Sequence, residues 1–396
     1  MTAFTVSSLV ALATVVVAAG VLRSGLYAVF AAVILGLHTV VSVGLYPLLE
    51  GLGPVLWWAQ AAVFVQYGML IFPKLRPTWY RGLVTVPGLW FAAGTLLALP
   101  WSVAATLGFS PVGVFLPFLA AAIGVWQSST TVREVVDVMV DRDPIEGLKR
   151  VEKRTGVGER PLRLVQITDP HLGPFMSVAR LREIAQRAVD QDPDLVLLTG
   201  DFYTMEGKGT PGALAEALSP LGALEGRVYA CMGNHDHEAP EQVASELAAV
   251  GVRLLIDRAE IVQTGAGPVQ VVGLDHVWRE RGPRHAATLA AWPRQEGVFR
   301  LVLLHDPGAF KHLPEGEADL TLSGHTHGGH VGLVSMGLAW TSVNALTGLP
   351  DHGLWGHGTN RMYVHKGTGH YGFPLRIGVP AEESVLRVWA PGLAAS

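Results

Sequence analysis

The sequence contains one cysteine, Cys231, in 396 residues. No intrachain disulfide can form, so the core must hold the fold without a covalent framework. Cys231 sits in an apolar run, where a small buried side chain is expected and a reactive thiol is not. Charge is scarce in the first third. Of 29 basic and 33 acidic residues, residues 1–131 hold only Arg23, Lys74, Arg76 and Arg81 and the single acid Glu50. The remainder is net acidic, which excludes a face built for nucleic-acid backbones. Internal repeats and low-complexity tracts are absent as well.

The first third is instead apolar, and hydrophobic residues make up 49% of the whole chain. A helix needs about 20 apolar residues to cross a bilayer core. Five stretches are expected to do so, at 5–22, 26–49, 54–72, 83–100 and 109–127. Tryptophan and tyrosine gather near their ends, at Trp57, Trp58, Trp79, Tyr80, Trp90 and Trp101, as in an interfacial belt. No span carries a central charge, and His38 is expected to make a helix–helix hydrogen bond. The basic connections at Arg23 and at Lys74–Arg81 would fall on one side of a five-span bundle. The positive-inside rule then puts the C-terminal part in the cytoplasm. Residues 128–160, charged and ending in Gly156, Gly158 and Arg160, are expected as the joint. The organisation expected is thus a multi-pass domain at 1–127, a linker at 128–160 and a catalytic domain at 161–396.

From Leu162 apolar strands alternate with helical segments, which predicts a layered α/β sandwich flanked by helices. Short apolar runs end at Asp169-Pro170-His171, Gly200-Asp201, Gly233-Asn234-His235-Asp236, His305-Asp306 and Gly324-His325-Thr326-His327-Gly328-Gly329. Polar clusters at successive strand ends converge on one edge of a sheet, where α/β folds place their sites. Carboxylates, imidazoles and an amide oxygen form a ligand list for two metal ions, and the mixed N/O set suits Mn²⁺, Fe²⁺/Fe³⁺ or Zn²⁺. Two such ions clamp the attacking and leaving oxygens of an in-line phosphoryl displacement. Singly, each cluster reads as a turn or a surface loop; their number and order set that reading aside.

The series D-x-H, G-D, G-N-H-D, H and G-H-T-H resembles the calcineurin-like metallophosphoesterases. It is most similar to their membrane-anchored bacterial branch of YkuE- and YaeI-like proteins, whose tail resembles 367–376. The resemblance implies an αββα sandwich and a dinuclear divalent-metal centre. Asp169, His171, Asp201 and His327 would hold one ion; Asp201, Asn234, His305 and His325 would hold the other. It further implies a metal-bridging hydroxide as nucleophile, His235 as the acid toward the leaving oxygen, and Asp236 as the residue that orients it. His330, where a Gln often stands in this branch, together with His370 and Arg376, are candidate substrate contacts. His237 and His276 read as structural or surface residues. The substrate expected is a phosphoester or pyrophosphate, as a small molecule or linked to a lipid, with membrane lipids as neighbours. Two other classes remain open: a non-catalytic metal-dependent scaffold, and a regulatory domain of a membrane sensor or transporter. The full set of ligand positions with His235 favours the enzyme.

Overall fold

The computed structural model describes residues 1–152, 160–390 and 393, so Gly156 and Gly158 lie outside the described residues. Two compact units divide it. The first joins Met1–Ser128 with two short segments from later in the chain, Met205–Thr210 and Tyr371–Ile377. The second holds Ser129–Thr204, Pro211–His370 and Gly378–Ser396.

The helical unit corrects the expected five spans. Among the described residues, only Ala3–Leu22 and Gly25–Leu52 are long and apolar enough to cross a membrane, or three helices if a bent pair counts as one span. Proline and length explain the difference. The helix Pro54–Met69 has 16 residues, about 24 Å at 1.5 Å per residue, against a hydrocarbon core of about 30 Å. The fourth stretch is broken: Arg81–Thr85 forms a π turn, Val86–Leu97 follows, and Leu99–Thr106, with Pro100 in its first turn, departs by 61°. The fifth begins only at Leu116, after Gly108 and Gly113 adopt left-handed backbone around Pro111. Inside the unit, His38 Nε2 donates to Gln60 Oε1 at 3.0 Å, and its Nδ1 is hydrogen-bonded to Thr95 Oγ1 at 2.8 Å. Gln60 Nε2 donates in turn to Ser8 Oγ at 3.0 Å and Ser42 Oγ at 3.1 Å. These polar groups satisfy one another across four helical segments, as groups shielded from water must.

Among the described residues, the second unit is built on thirteen strands. They are β1 (Thr131–Met139), β2 (Ile145–Arg150), β3 (Leu162–Ile167), β4 (Leu195–Leu198), β5 (Val228–Ala230), β6 (Arg253–Leu254) and β7 (Arg258–Thr264). β8 (Gly267–Gly273), β9 (Phe299–Leu303), β10 (Leu320–Ser323), β11 (Gly353–Gly358), β12 (Asn360–Val364) and β13 (Ala381–Trp389) complete it. One sheet has the order β1-β13-β3-β4-β5-β6 and the other β2-β11-β12-β10-β9-β8-β7. Residues 128–160, expected as a joint, supply β1 and β2. β1 lies parallel to β13 over nine residue pairs, and β2 lies antiparallel to β11.

Side-chain alternation builds the layers. In β3 and β4, Leu162, Leu164, Leu195 and Leu197 face the second sheet and meet Val271, Leu301, Leu303 and Leu322. Val165, Ile167, Val196 and Leu198 point the other way, onto the helices Val178–Asp190, Ala213–Leu218 and Pro240–Ala249. A period of two is the geometry of a strand buried on both faces. The far face of the second sheet packs Val302, Val272 and Val364 against Leu289 of Arg281–Ala291 and Phe310. The αββα sandwich expected from the sequence is therefore present. β3, β4, β5 and β6 run parallel, and so do β8, β9, β10 and β12.

Candidate metal centre

The parallel strands end in the polar clusters. β3 runs into Asp169 and His171, β4 into Asp201, β5 into Asn234 and His235, β9 into His305, and β10 into His325 and His327. The loops turn unusually tightly. Asp169, His171, Asp201, His325 and His327 all have positive φ, between 45° and 70°, and His330 joins them at 57°. Left-handed backbone at a non-glycine residue costs about 1–3 kcal/mol and gathers where a site demands it. Two glycines make room. A Cβ on Gly233 would collide with the Asp201 carboxylate, and one on Gly324 with the Asp169 carboxylate.

The ligating atoms fall into two groups, Asp169 with His171 and His327, and Asp201 with His305 and His325. In the first, His327 Nε2 lies 3.6 Å and His171 Nε2 3.9 Å from Asp169 Oδ1. In the second, His325 Nδ1 lies 3.2 Å from His305 Nε2, which is 3.2 Å from Asn234 Oδ1. One oxygen joins them: Asp201 Oδ2 is 3.6 Å from His171 Nε2 and 3.3 Å from His305 Nε2. Ligands at about 2.0–2.2 Å from a common ion stand roughly 3.0–3.5 Å apart, so these separations suit two cations sharing Asp201. The backbone fixes the donors. His305 Nδ1 lies 2.6 Å from the Thr199 carbonyl, which leaves Nε2 for the centre. The Asp169 carboxylate accepts from the His325 N–H at 3.0 Å, and Asp201 Oδ1 from the His235 N–H at 2.9 Å. Such supports set the orientation of first ligands.

Electrostatics mark the same spot. Burial pushes Asp169 up to about 6, with His305 opposing and Asp201 assisting. Burial lowers His171 to about 3 and His325 to about 4, so both rings are neutral ligands at neutral pH. Burial also works against charge on Asp201 and His305, yet the pair overcomes it. Asp201 stays well below the usual carboxylate range and His305 rises to about 10. A proton on His305 thus stands in for positive charge that a divalent cation would supply in full.

The expected catalytic pair separates. His235 is part-exposed beside the first group, its ring 5.5 Å from that of His171. Its Nδ1 lies 3.0 Å from Glu238 Oε1, not on Asp236. Asp236 is buried and takes backbone N–H donors from Asp201 at 2.7 Å, Phe202 at 2.8 Å and Gly233 at 2.8 Å. Asp236 is therefore a clasp between two metal loops, beyond the orienting role expected from the sequence. The short 3-10 turn Asp236–Glu238 gives the reason, because it turns the carboxylate inward and brings position i+3 back to the ring.

Of the candidate substrate contacts, His330 and His370 join the first group, with ring centres 5.3 Å and 5.9 Å from His327. Arg376 lies in Tyr371–Ile377, which belongs to the helical unit, and is fully buried. The sequence reading left His276 among the structural or surface residues and did not single out Asp275. His276 lies with its ring 6.3 Å from both His305 and His325 and edge-on to Trp278 at 4.6 Å. His237 pairs with Asp275 at 3.0 Å. The available signal was position: Asp275-His276 follows the apolar run of β8 as the ligands follow theirs.

Residues 162–329 match the family model described as calcineurin-like phosphoesterase. The chain is 28% identical over 232 residues to the phosphodiesterase YaeI of Escherichia coli, covering 58% of this chain and 82% of that protein. It is 29% identical over 269 residues to a transmembrane protein with metallophosphoesterase domain of Danio rerio, 63% of this chain and 56% of that one. It is 26% identical over 279 residues to the UDP-2,3-diacylglucosamine pyrophosphatase LpxG of Chlamydia trachomatis, 57% and 83% respectively.

Proposed function

The chain carries a calcineurin-like metallophosphoesterase domain behind apolar membrane helices, and from this premise we propose that it hydrolyses a phosphoester or pyrophosphate bond of a lipid-linked substrate. The observation that carries the reaction class is the shared oxygen, Asp201 Oδ2, between the two ligand groups. The donor set fits two divalent cations, of the Mn²⁺, Fe or Zn²⁺ kind, held by Asp169, His171, Asp201 and His327 and by Asp201, Asn234, His305 and His325. Bound there, they supply Lewis-acid charge and an activated water.

The chain's own residues do the rest. His235 stands at the rim, positioned by Glu238, to give a proton to the departing oxygen. Asp236 keeps the Asp201 and Gly233 loops in register. His330, His370 and His276 offer further donors around the phosphoryl group, and Arg376 is a substrate contact proposed from the tail motif alone. The lipid reading is supported by the apolar helices and by the diacylglucosamine named for the LpxG relative. For orientation we propose the cytoplasmic face. With the two long helices crossing, Lys74, Arg76, Arg81 and the domain share one side and Arg23 alone lies on the other. An alkaline phosphatase fused at the C-terminus should then be inactive and a fluorescent protein bright.

The deciding assay uses the full-length protein reloaded with Mn²⁺ on aryl phosphates, diaryl phosphates, nucleotides, and lipid mono- and diphosphates. Turnover should be highest on a lipid-linked phosphate and lost in Asp201→Asn with the fold retained. Equal activity of Asp201→Asn would overturn the metal assignment.

A further inference from the structure

Directly after the metal loop the second unit exposes an apolar finger. Gly332 and Thr341 form an isolated antiparallel bridge, and Leu333 N–H donates to the Trp340 carbonyl at 3.0 Å. Between them the chain makes a short 3-10 turn at Val334–Met336 and reverses at Gly337, whose φ is 79°. The base is fastened to the metal loop. Ser342 Oγ donates to the Gly329 carbonyl at 3.0 Å, and Ser342 N–H to the Val331 carbonyl at 2.8 Å. Thr341 Oγ1 is hydrogen-bonded to buried Asp351, and Ser335 N–H donates to the Gly378 carbonyl at 2.9 Å. The finger is thus a braced loop with defined ends.

Its surface is the reverse of what water selects. Val331, Leu333, Met336, Leu338, Trp340 and Leu346 are all exposed, Met336 to 73% and Leu346 to 85%. No Asp, Glu, Lys or Arg occurs from Gly328 to Pro350, in a unit otherwise rich in both signs. Apolar side chains scattered singly need no explanation, but a contiguous uncharged set on a braced loop marks a contact surface. Three features choose the occupant. The same chain holds helices long and apolar enough to cross a bilayer. β1 begins at Thr131, two residues after the helix Leu116–Ser129 ends, so only a short joint links the second unit to the apolar helices. The patch itself is uncharged, with Glu134, Arg150 and Lys366 lining the groove beside Val334 and Leu338, and it offers Trp, Met and Leu, which suit the boundary between headgroups and acyl chains.

We propose that the finger at 331–346 inserts its tip into the lipid surface to which the chain is anchored and holds the metal loop at headgroup depth. The inference rests on membrane attachment and goes beyond the substrate reading. Its test reads position rather than turnover, so the failure of one is distinguishable from the failure of the other. The full-length protein carrying Met336→Cys, or separately Leu338→Cys, is labelled with an environment-sensitive dye and reconstituted in phosphatidylcholine–phosphatidylglycerol vesicles. Native Cys231 is fully buried and takes no label. Lipids brominated on the acyl chain should cut the emission by about half, as for a side chain about 5–10 Å inside the interface, while aqueous iodide has little effect. Quenching by iodide and not by brominated lipid would overturn the proposal. So would protection from both, which would mean that protein covers the finger. The two positions are exposed and independent, so one correctly folded variant decides.

Discussion

Removing the Asp236 carboxylate should dismantle the metal centre from behind. Three backbone N–H groups, those of Asp201, Phe202 and Gly233, point at its two oxygens from 2.7–2.8 Å. In Asp236→Ala all three donors are left buried, each worth about 1–3 kcal/mol unsatisfied. Loop relaxation and entering water reduce the sum, so the expected loss is about 3–5 kcal/mol, that of a broken buried charged network. For a domain of this size that corresponds to a melting temperature lower by roughly 6–20 °C. Asp236→Asn should fall between. Its carbonyl can serve the Asp201 and Gly233 donors that share Oδ2, but its amide then faces the Phe202 N–H. Because Asp201 and Asn234 flank the freed donors, bound metal should fall in step with stability. The assay is thermal unfolding of the detergent-solubilised protein beside metal content and turnover on aryl phosphates of graded leaving group. Wild-type melting and metal content, with a loss confined to poor leaving groups, would refute the clasp and return Asp236 to proton transfer.

Other outcomes follow from the same geometry. His235→Ala should keep its metal and slow turnover by about 10²–10⁴-fold, the loss shrinking for nitrophenolate; a uniform loss would mean positioning. Glu238→Gln should show the same leaving-group dependence at roughly tenfold smaller amplitude, and wild-type rates would remove Glu238 from the site. His305 holds a proton up to about 10 and Asp169 up to about 6. A metal must displace the first at neutral pH and both in acid, so Mn²⁺ affinity should rise about tenfold per pH unit between about 7 and 9 and more steeply below about 6. Titration calorimetry showing a flat profile would contradict this. In the helical unit, Gln60→Leu removes the acceptor of His38 Nε2, while Ser8 and Ser42 keep their backbone carbonyls, and should cost about 1–2 kcal/mol in unfolding experiments; no change would show that water already serves the ring.

How legible these features were depended on burial. β3, β4, β5, β9 and β10 are buried on both faces and appear in the sequence as continuous apolar runs, so the clusters behind them could be placed at strand ends. β1 and β2 hide because they are half-exposed: Arg133, Glu134 and Asp137 interrupt β1, and β2 shows only partial burial. No apolar run announces an edge strand. The span count failed where hydropathy was high but the backbone could not comply, at the π turn before Pro87, at Pro100 and around Pro111. Within the centre, residue types revealed donors but not direction. Only the turn at Asp236–Glu238 decides which carboxylate meets His235, and only the pairing of β8 with β9 brings His276 beside His305.

The left-handed turns at Asp169, His171, Asp201, His325 and His327 have a consequence for selection. Each strains the backbone by about 1–2 kcal/mol, more than glycine's extra freedom in the unfolded chain costs. Glycine at part-buried His325 should therefore raise the stability of the metal-free protein while destroying the centre, whereas at Asp169 or Asp201 it would also strand the His325 or His235 N–H. A laboratory lineage selected for heat resistance alone, with no substrate to cleave, would accept glycine at His325 first, and that one mutation would point at a site nobody had assayed.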